Sequence, residues 1–272
     1  MHHSRLIRLT QIFALAALGA LTSWQLFPQQ ADAPLAPSEA IKGQAVKNAV
    51  LKSFDGQGNR LRLKISQVAL DPAEPEQDLY LYTVLYQSPA DWQWRPLCQP
   101  DAEGQTTAVS LAGRWDPTGA RVSDDGITFA CTNGALGKCV RWGYKPWKTE
   151  QGVSLAPFHQ ACTRMVRADY CGKGIGHTQN GTPIDVYDRL AIQRRTQNSG
   201  MGFEAAWGPE GAVFLHRSRF PGAIAKLQQE CPEKLAQIFH PQTTAGNPPQ
   251  EMSQALLFND SFDRDSERTV AP

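Results

Sequence analysis

Six cysteines constrain this chain more than any other feature. Cys98, Cys131, Cys139, Cys162, Cys171 and Cys231 form an even set, and all lie downstream of residue 33. Upstream of them, Arg5 and Arg8 precede an uncharged stretch of 19 residues, Leu9 to Phe27, which leads into Ala31-Asp32-Ala33. A basic flank, an apolar run and small residues at the cleavage spacing read as a secretory signal peptide over residues 1–33. The run is also close to bilayer length, so a retained N-terminal membrane anchor over residues 9–27 is the alternative. No cysteine follows the run to carry a lipid. Either version puts the folded part outside the cytoplasm, periplasmic or secreted, where cysteines pair as disulfides. Six cysteines allow fifteen pairings. Cys98 and Cys131 close strands expected in one sheet, which favours that pair. No two cysteines have the short paired spacing of a zinc knuckle, so no metal site is expected, and no cofactor motif is present.

Charge narrows the partners. The chain carries 27 Lys+Arg against 26 Asp+Glu. That balance offers no basic excess for nucleic acid. A cell-envelope polysaccharide or a protein remains as the class of partner, and a membrane only if the N-terminal segment is retained.

The fold class reads as α+β: an N-terminal antiparallel β-sheet unit packed with a disulfide-braced mixed α/β segment. Residues 34–45 form a Pro/Ala linker. Residues 46–240 form the globular domain, β-rich over 46–131 and mixed over 132–240. Leu61, Leu63 and Ile65 alternate with Arg62, Lys64 and Ser66, the signature of a strand with one wet face. Strands are expected at 49–54, 59–70, 78–87, 92–98, 107–111 and 126–131. A short helix over 133–142, capped by Thr132, comes next. A firmer helix runs from about Ala156 to Asp169, with Ser154 as its cap, Pro157 in its first turn and an apolar stripe through Phe158, Ala161, Cys162, Met165 and Val166. Strands follow at 182–187, 203–207 and 212–216, and then a helix over 221–239 broken near Cys231-Pro232. Residues 241–272 are rich in polar residues and read as a disordered tail.

Residues 129–188 hold four of the six cysteines and the segment Arg141-Trp142-Gly143-Tyr144-Lys145-Pro146-Trp147. This block resembles the ADYC-domain family of bacterial proteins, named for Ala168-Asp169-Tyr170-Cys171. The matching pieces are Gly137-Lys138-Cys139, Gly143 to Trp147, Ala161-Cys162, Arg167 to Gly172, His177-Thr178 and Gly181-Thr182. They cover roughly residues 97–215. The resemblance implies a bacterial, exported domain and brings no catalytic residue with it.

Three constellations could carry chemistry. Cys171 could act as a nucleophile with His159 or His177 as base and Asp169 or Asp185 as orienter. Its place past a helix C-terminus disfavours the thiolate, and a structural half-cystine is the plainer reading. Asp169, Tyr170, His177 and Asp185 could form a polar acid/base site, although Asp169 lies on the apolar stripe and its carboxylate is expected to point inward as a brace. Trp142, Tyr144 and Trp147 with Lys145 could form a ligand platform, or these rings could simply fill the core. The leading expectation is a non-catalytic binding or scaffolding protein at the envelope or outside the cell. The alternative is an extracytoplasmic hydrolase-type enzyme using Asp169, His177 and Cys171.

Overall fold

The computed structural model describes residues 43–54, 58–220, 222–241 and 250–262. The signal or anchor segment and linker residues 34–42 lie outside the described residues. The last linker residues belong to a 3-10 helix, Gly43–Val46, whose Gly43 N–H donates to the Tyr82 hydroxyl at 3.2 Å.

The first half builds an antiparallel sheet from β1 (Val50–Phe54), β2 (Arg60–Leu70), β3 (Tyr80–Gln87), β4 (Trp94–Pro96), β5 (Thr107–Trp115) and β6 (Arg121–Cys131). The order is β1-β2-β3-β5-β6, with β4 on the same edge of β3 as β5. Alternation explains the placement. Leu63 and Ile65 are buried with Tyr82 and Val84, while Arg62 faces solvent. On the opposite face, Val109 and Leu111 of β5 pack with Val140. Val140 belongs to α1 (Ala135–Arg141), which follows β6 directly. Thr132 does not cap this helix. Its hydroxyl bonds back to Thr107, and Gly134 takes the cap position.

A short hairpin, β7 (Thr149–Glu150) and β8 (Val153–Ser154), leads into α2 (Ala156–Arg167). Ser154 sits one residue before the cap, and its Oγ accepts from the Ala156 N–H at 3.3 Å. The second sheet contains β9 (Ile184–Asp188), β10 (Gly202–Gly208), β11 (Gly211–Leu215) and β12 (Leu257–Ser261), in the order β11-β10-β12-β9. α3 (Ala223–Glu230) and α4 (Pro232–Ile238) are separated at Cys231-Pro232, because proline cannot continue the ladder of α3. α2 and the second sheet enclose the larger core, built on Phe158, Met165, Tyr170, Trp207, Leu215 and Leu227.

Three disulfides join Cys98 to Cys131, Cys139 to Cys162 and Cys171 to Cys231. They suit an oxidising, extracytoplasmic compartment. Among the described residues no helix is long and apolar enough to cross a membrane.

One expectation is corrected. The segment read as a disordered tail contains a 3-10 helix at Gln250–Gln254 and the strand β12, which pairs with both β10 and β9. Its polar residues misled the reading because they are buried through bonding. Asn259 accepts from Trp207 Nε1 at 2.8 Å, and Asp260 accepts from Tyr187 and Arg195. Leu257 is fully buried beside them. Residues 242–249 and 263–272 lie outside the described residues. Ending the chain at residue 249 is therefore expected to lower the melting temperature by at least about 10 °C. Loss of a buried strand with one large apolar side chain and several bonded polar groups exceeds about 4 kcal/mol. Circular dichroism melts of the truncated and full chains check this.

Candidate functional site

The turn after α2 is a buried polar knot. Ala168 adopts the left-handed conformation (φ 51°), and the N–H groups of Ala168 and Asp169 bond back to Met165 and Arg164. The chain therefore reverses, and Asp169 is fully buried. Its Oδ2 accepts from Arg164 Nη1 and from the Gly174 amide, both at 2.7 Å. Arg167, by contrast, donates to the Gly174 carbonyl at 2.6 Å. Tyr170, also fully buried, donates to Glu204 at 2.9 Å and stacks on Trp207 with centroids 5.2 Å apart. Its carbonyl accepts from Ala212, so the turn lies against the β10–β11 connection. Gly172 makes that approach possible. A Cβ there would stand 2.0 Å from the Glu210 carbonyl oxygen, and its φ of +72° suits glycine.

The candidate catalytic residues share this turn without forming a reactive set. Cys171 is bonded to Cys231 and has no thiolate to offer. Asp169 is held by Arg164. The His177 side chain is only 4% exposed. Its Nδ1 lies 3.2 Å from the Ala168 carbonyl oxygen. Its Nε2 is 3.0 Å from Glu230 Oε2, and neither atom makes a hydrogen bond. Asp185 stands apart, accepting from Thr196. His159 is buried in α2 with Nε2 3.1 Å from the Leu136 carbonyl.

The aromatic segment is also divided. Tyr144 is fully buried and donates to Asp188 at 2.9 Å. Lys145 is 2% exposed, and its Nζ lies 2.7 Å from Glu74, 2.6 Å from Glu76 and 2.6 Å from Asp78. Burial favours a neutral Asp78, but hydrogen bonds from Lys145 and Lys148 outweigh it and hold that carboxyl at about 2. Among the described residues these three carboxylates are the one group spaced as metal ligands, and two lysine ammonium groups occupy it instead. Trp147 is 41% exposed and lines a shallow cavity with Tyr80 and Lys148. Trp142 is half-buried and lines a different one.

That second cavity, about 490 Å³, lies between the start of α1, the end of α2 and the loop 176–184. Lys138, Arg167 and Arg219 line it, with Asn133, Thr178, Gln179 and Trp142, and no carboxylate contributes. Arg167 Nε is buried without a hydrogen-bond partner. Lys138 is half-buried, and among the described residues it makes no salt bridge. None of Asp169, Cys171 or His177 lines this space. Sequence reasoning missed Lys138 and Arg167 as site residues. The available signal was Gly137 beside Lys138. A Cβ at Gly137 would fall 2.3 Å from the Cys131 carbonyl oxygen, which pins α1 to the end of β6 and fixes where Lys138 projects.

The ADYC domain, as a family model, matches residues 43–221. The chain belongs to the ADYC-domain family. No curated protein and no solved structure matches it. The ADYC match begins at the first 3-10 helix, well before the residues that carried the resemblance, and takes in the whole β-rich sheet. It ends before Cys231 and β12, both of which complete the fold around the ADYC turn.

Two outcomes follow for this part of the ADYC domain. Asp169→Asn keeps the shape but removes the charge facing Arg164. It is expected to cost roughly 1–3 kcal/mol in denaturant unfolding. Burial lowers His159 to about 4, against the opposing bond to the Leu136 carbonyl. Between about pH 6.5 and 4 the unfolded imidazole binds a proton that the folded one refuses. Stability therefore falls as the pH drops through that window, by roughly 3 kcal/mol from this group alone. His159→Gln is expected to flatten that limb of the pH–stability curve.

Proposed function

We propose that this ADYC-domain protein is an exported, non-catalytic binding protein, with residues 1–33 as its export signal or residues 9–27 as its anchor. Its ligand site is the cavity between α1 and the loop 176–184. One observation carries the reading: Lys138 and Arg167, neither in a salt bridge among the described residues, line this space with several amide and hydroxyl groups and no carboxylate, while the third cation, Arg219, is already paired with Glu204. A pocket of this size suits a small polar ligand. The lining chemistry calls for one that bears a carboxylate or a phosphate, because guanidinium and ammonium groups bind such anions through charge-assisted hydrogen bonds. Trp142 adds a ring face of the kind that packs on a sugar. An acidic sugar unit of a cell-envelope polysaccharide combines these features.

The binding reading gains further support from the fate of the candidate catalytic groups. A thiol hydrolase at Cys171 would need an open Cys171–Cys231 bridge. An acid/base pair of Asp169 and His177 would need groups that face a cavity, and both are engaged inside the ADYC turn.

Calorimetric titration of the chain with glucuronate and with glucose 6-phosphate, against glucose, tests this. One or both anionic sugars are expected to bind at least tenfold more tightly than glucose. Lys138→Glu should remove that preference without moving the melting temperature. Equal binding of glucose, or an unaffected Lys138→Glu variant, would overturn the site. Chemical conversion of the bound sugar, read by chromatography, would overturn the non-catalytic reading.

A further inference from the structure

β1 and β2 pair with Val50 opposite Lys64, Lys52 opposite Arg62 and Phe54 opposite Arg60. Residues opposite one another share a sheet face, so these six side chains lie on one surface. The same face continues through Leu85 and Thr83 to Thr107 and Val109, where α1 covers it. At the β1–β2 end no described element covers it, and Val50 and Phe54 are 48% and 66% exposed.

The charge on this open end is one-sided. Lys52, Arg60, Arg62 and Lys64 make no salt bridge among the described residues, and the residues that share this stretch of the face with them, Val50, Phe54, Leu85, Gln87 and Trp94, include no carboxylate. Arg62 stands 5.6 Å over the Trp94 ring, which widens the surface into β4. Four cations thus share one face with two exposed apolar side chains, in a chain with almost equal numbers of both signs.

We infer that this face docks the domain on an anionic phospholipid surface. Like charge excludes a second copy of the same face. Charge complementarity requires an anionic partner, and Phe54, the last residue of β1, decides between partners. A soluble polyanion leaves an exposed phenyl ring in water, whereas a bilayer takes it into the headgroup region while the surrounding cations meet phosphates. This surface is separate from the cavity near α1, and the inference does not depend on what that cavity holds.

Co-sedimentation of the full chain with phosphatidylcholine vesicles, with and without phosphatidylglycerol, tests the inference. Any pull of residues 9–27 on lipid is common to parent and variants. The parent is expected to prefer the anionic vesicles. At roughly fivefold per surface cation, Lys52→Glu/Arg60→Glu/Lys64→Glu should lower partitioning at least about 100-fold. Lys226→Glu on α3 should change it little. Phe54→Ser should weaken the binding that persists at high salt. If the triple variant fails to fold, Lys52→Gln/Arg60→Gln carries the same test with a loss of about 25-fold. Equal partitioning of the parent to both vesicle types, or a folded charge variant that binds like the parent, overturns the inference. So does a parent that binds soluble heparin through these cations but ignores vesicles.

Discussion

The second half of the domain is organised around the ion pair between Arg219 and Glu204. Both side chains are shut off from water, and the guanidinium contacts both carboxylate oxygens at 2.7–3.0 Å. A buried pair of this kind is tolerable only when its remaining hydrogen-bonding capacity is filled. Here it is filled from three directions. Tyr170 of the ADYC turn donates to Glu204, the Arg219 N–H donates back to the Tyr170 hydroxyl, and Arg219 Nη2 reaches the Met165 carbonyl near the end of α2. Glu204 belongs to β10, so one charge pair ties a strand, a helix end and a turn together. Removing either charge would strand the other and cost roughly 3–5 kcal/mol. The tyrosine of the ADYC signature is thus a hydrogen-bonding member of the core, and burial pushes its hydroxyl well above the ordinary range.

A second, wetter set of charges fastens the first sheet to this core. Residues 71–78 between β2 and β3 present Asp71, Glu74, Glu76 and Asp78 to Arg141, Lys145 and Lys148. The aromatic segment 141–147 is therefore a seam. Tyr144 turns into the larger core, Lys145 turns toward the sheet, and Trp142 and Trp147 emerge on separate surfaces. The Cys139–Cys162 bridge clips α1 to α2 just behind that seam.

Much of this was legible from residue patterns, for identifiable reasons. Leu61, Leu63 and Ile65 announce β2 because a half-buried strand must alternate. Cys231-Pro232 announces the break between α3 and α4 because proline has no amide hydrogen to give. The inward aim of Asp169 was readable from the helical stripe. Its partner Arg164 was not, because the chain reverses at the left-handed Ala168 and the carboxylate meets Arg164 as well as the Gly174 amide. The surroundings of His177 were not legible, because the ring is sealed against Tyr170 and Glu230 from other elements. β12 stayed hidden because Asn259 and Asp260 enter the interior by bonding, which no hydropathy pattern reports. The cavity is assembled from three separate stretches of chain, 133–142, 166–184 and residue 219, and their proximity is a property of the fold.

The place of β12 sets an order of events for the chain as it is made. β12 lies between β10 and β9, and among the described residues β9 pairs with no other strand. When the ribosome has delivered everything through α4, the first sheet and its cysteine bridge have all their parts, but β9 has no neighbour and one edge of β10 is bare. The second sheet closes only when β12 has been made. Until then an exposed β10 edge is a template for another chain.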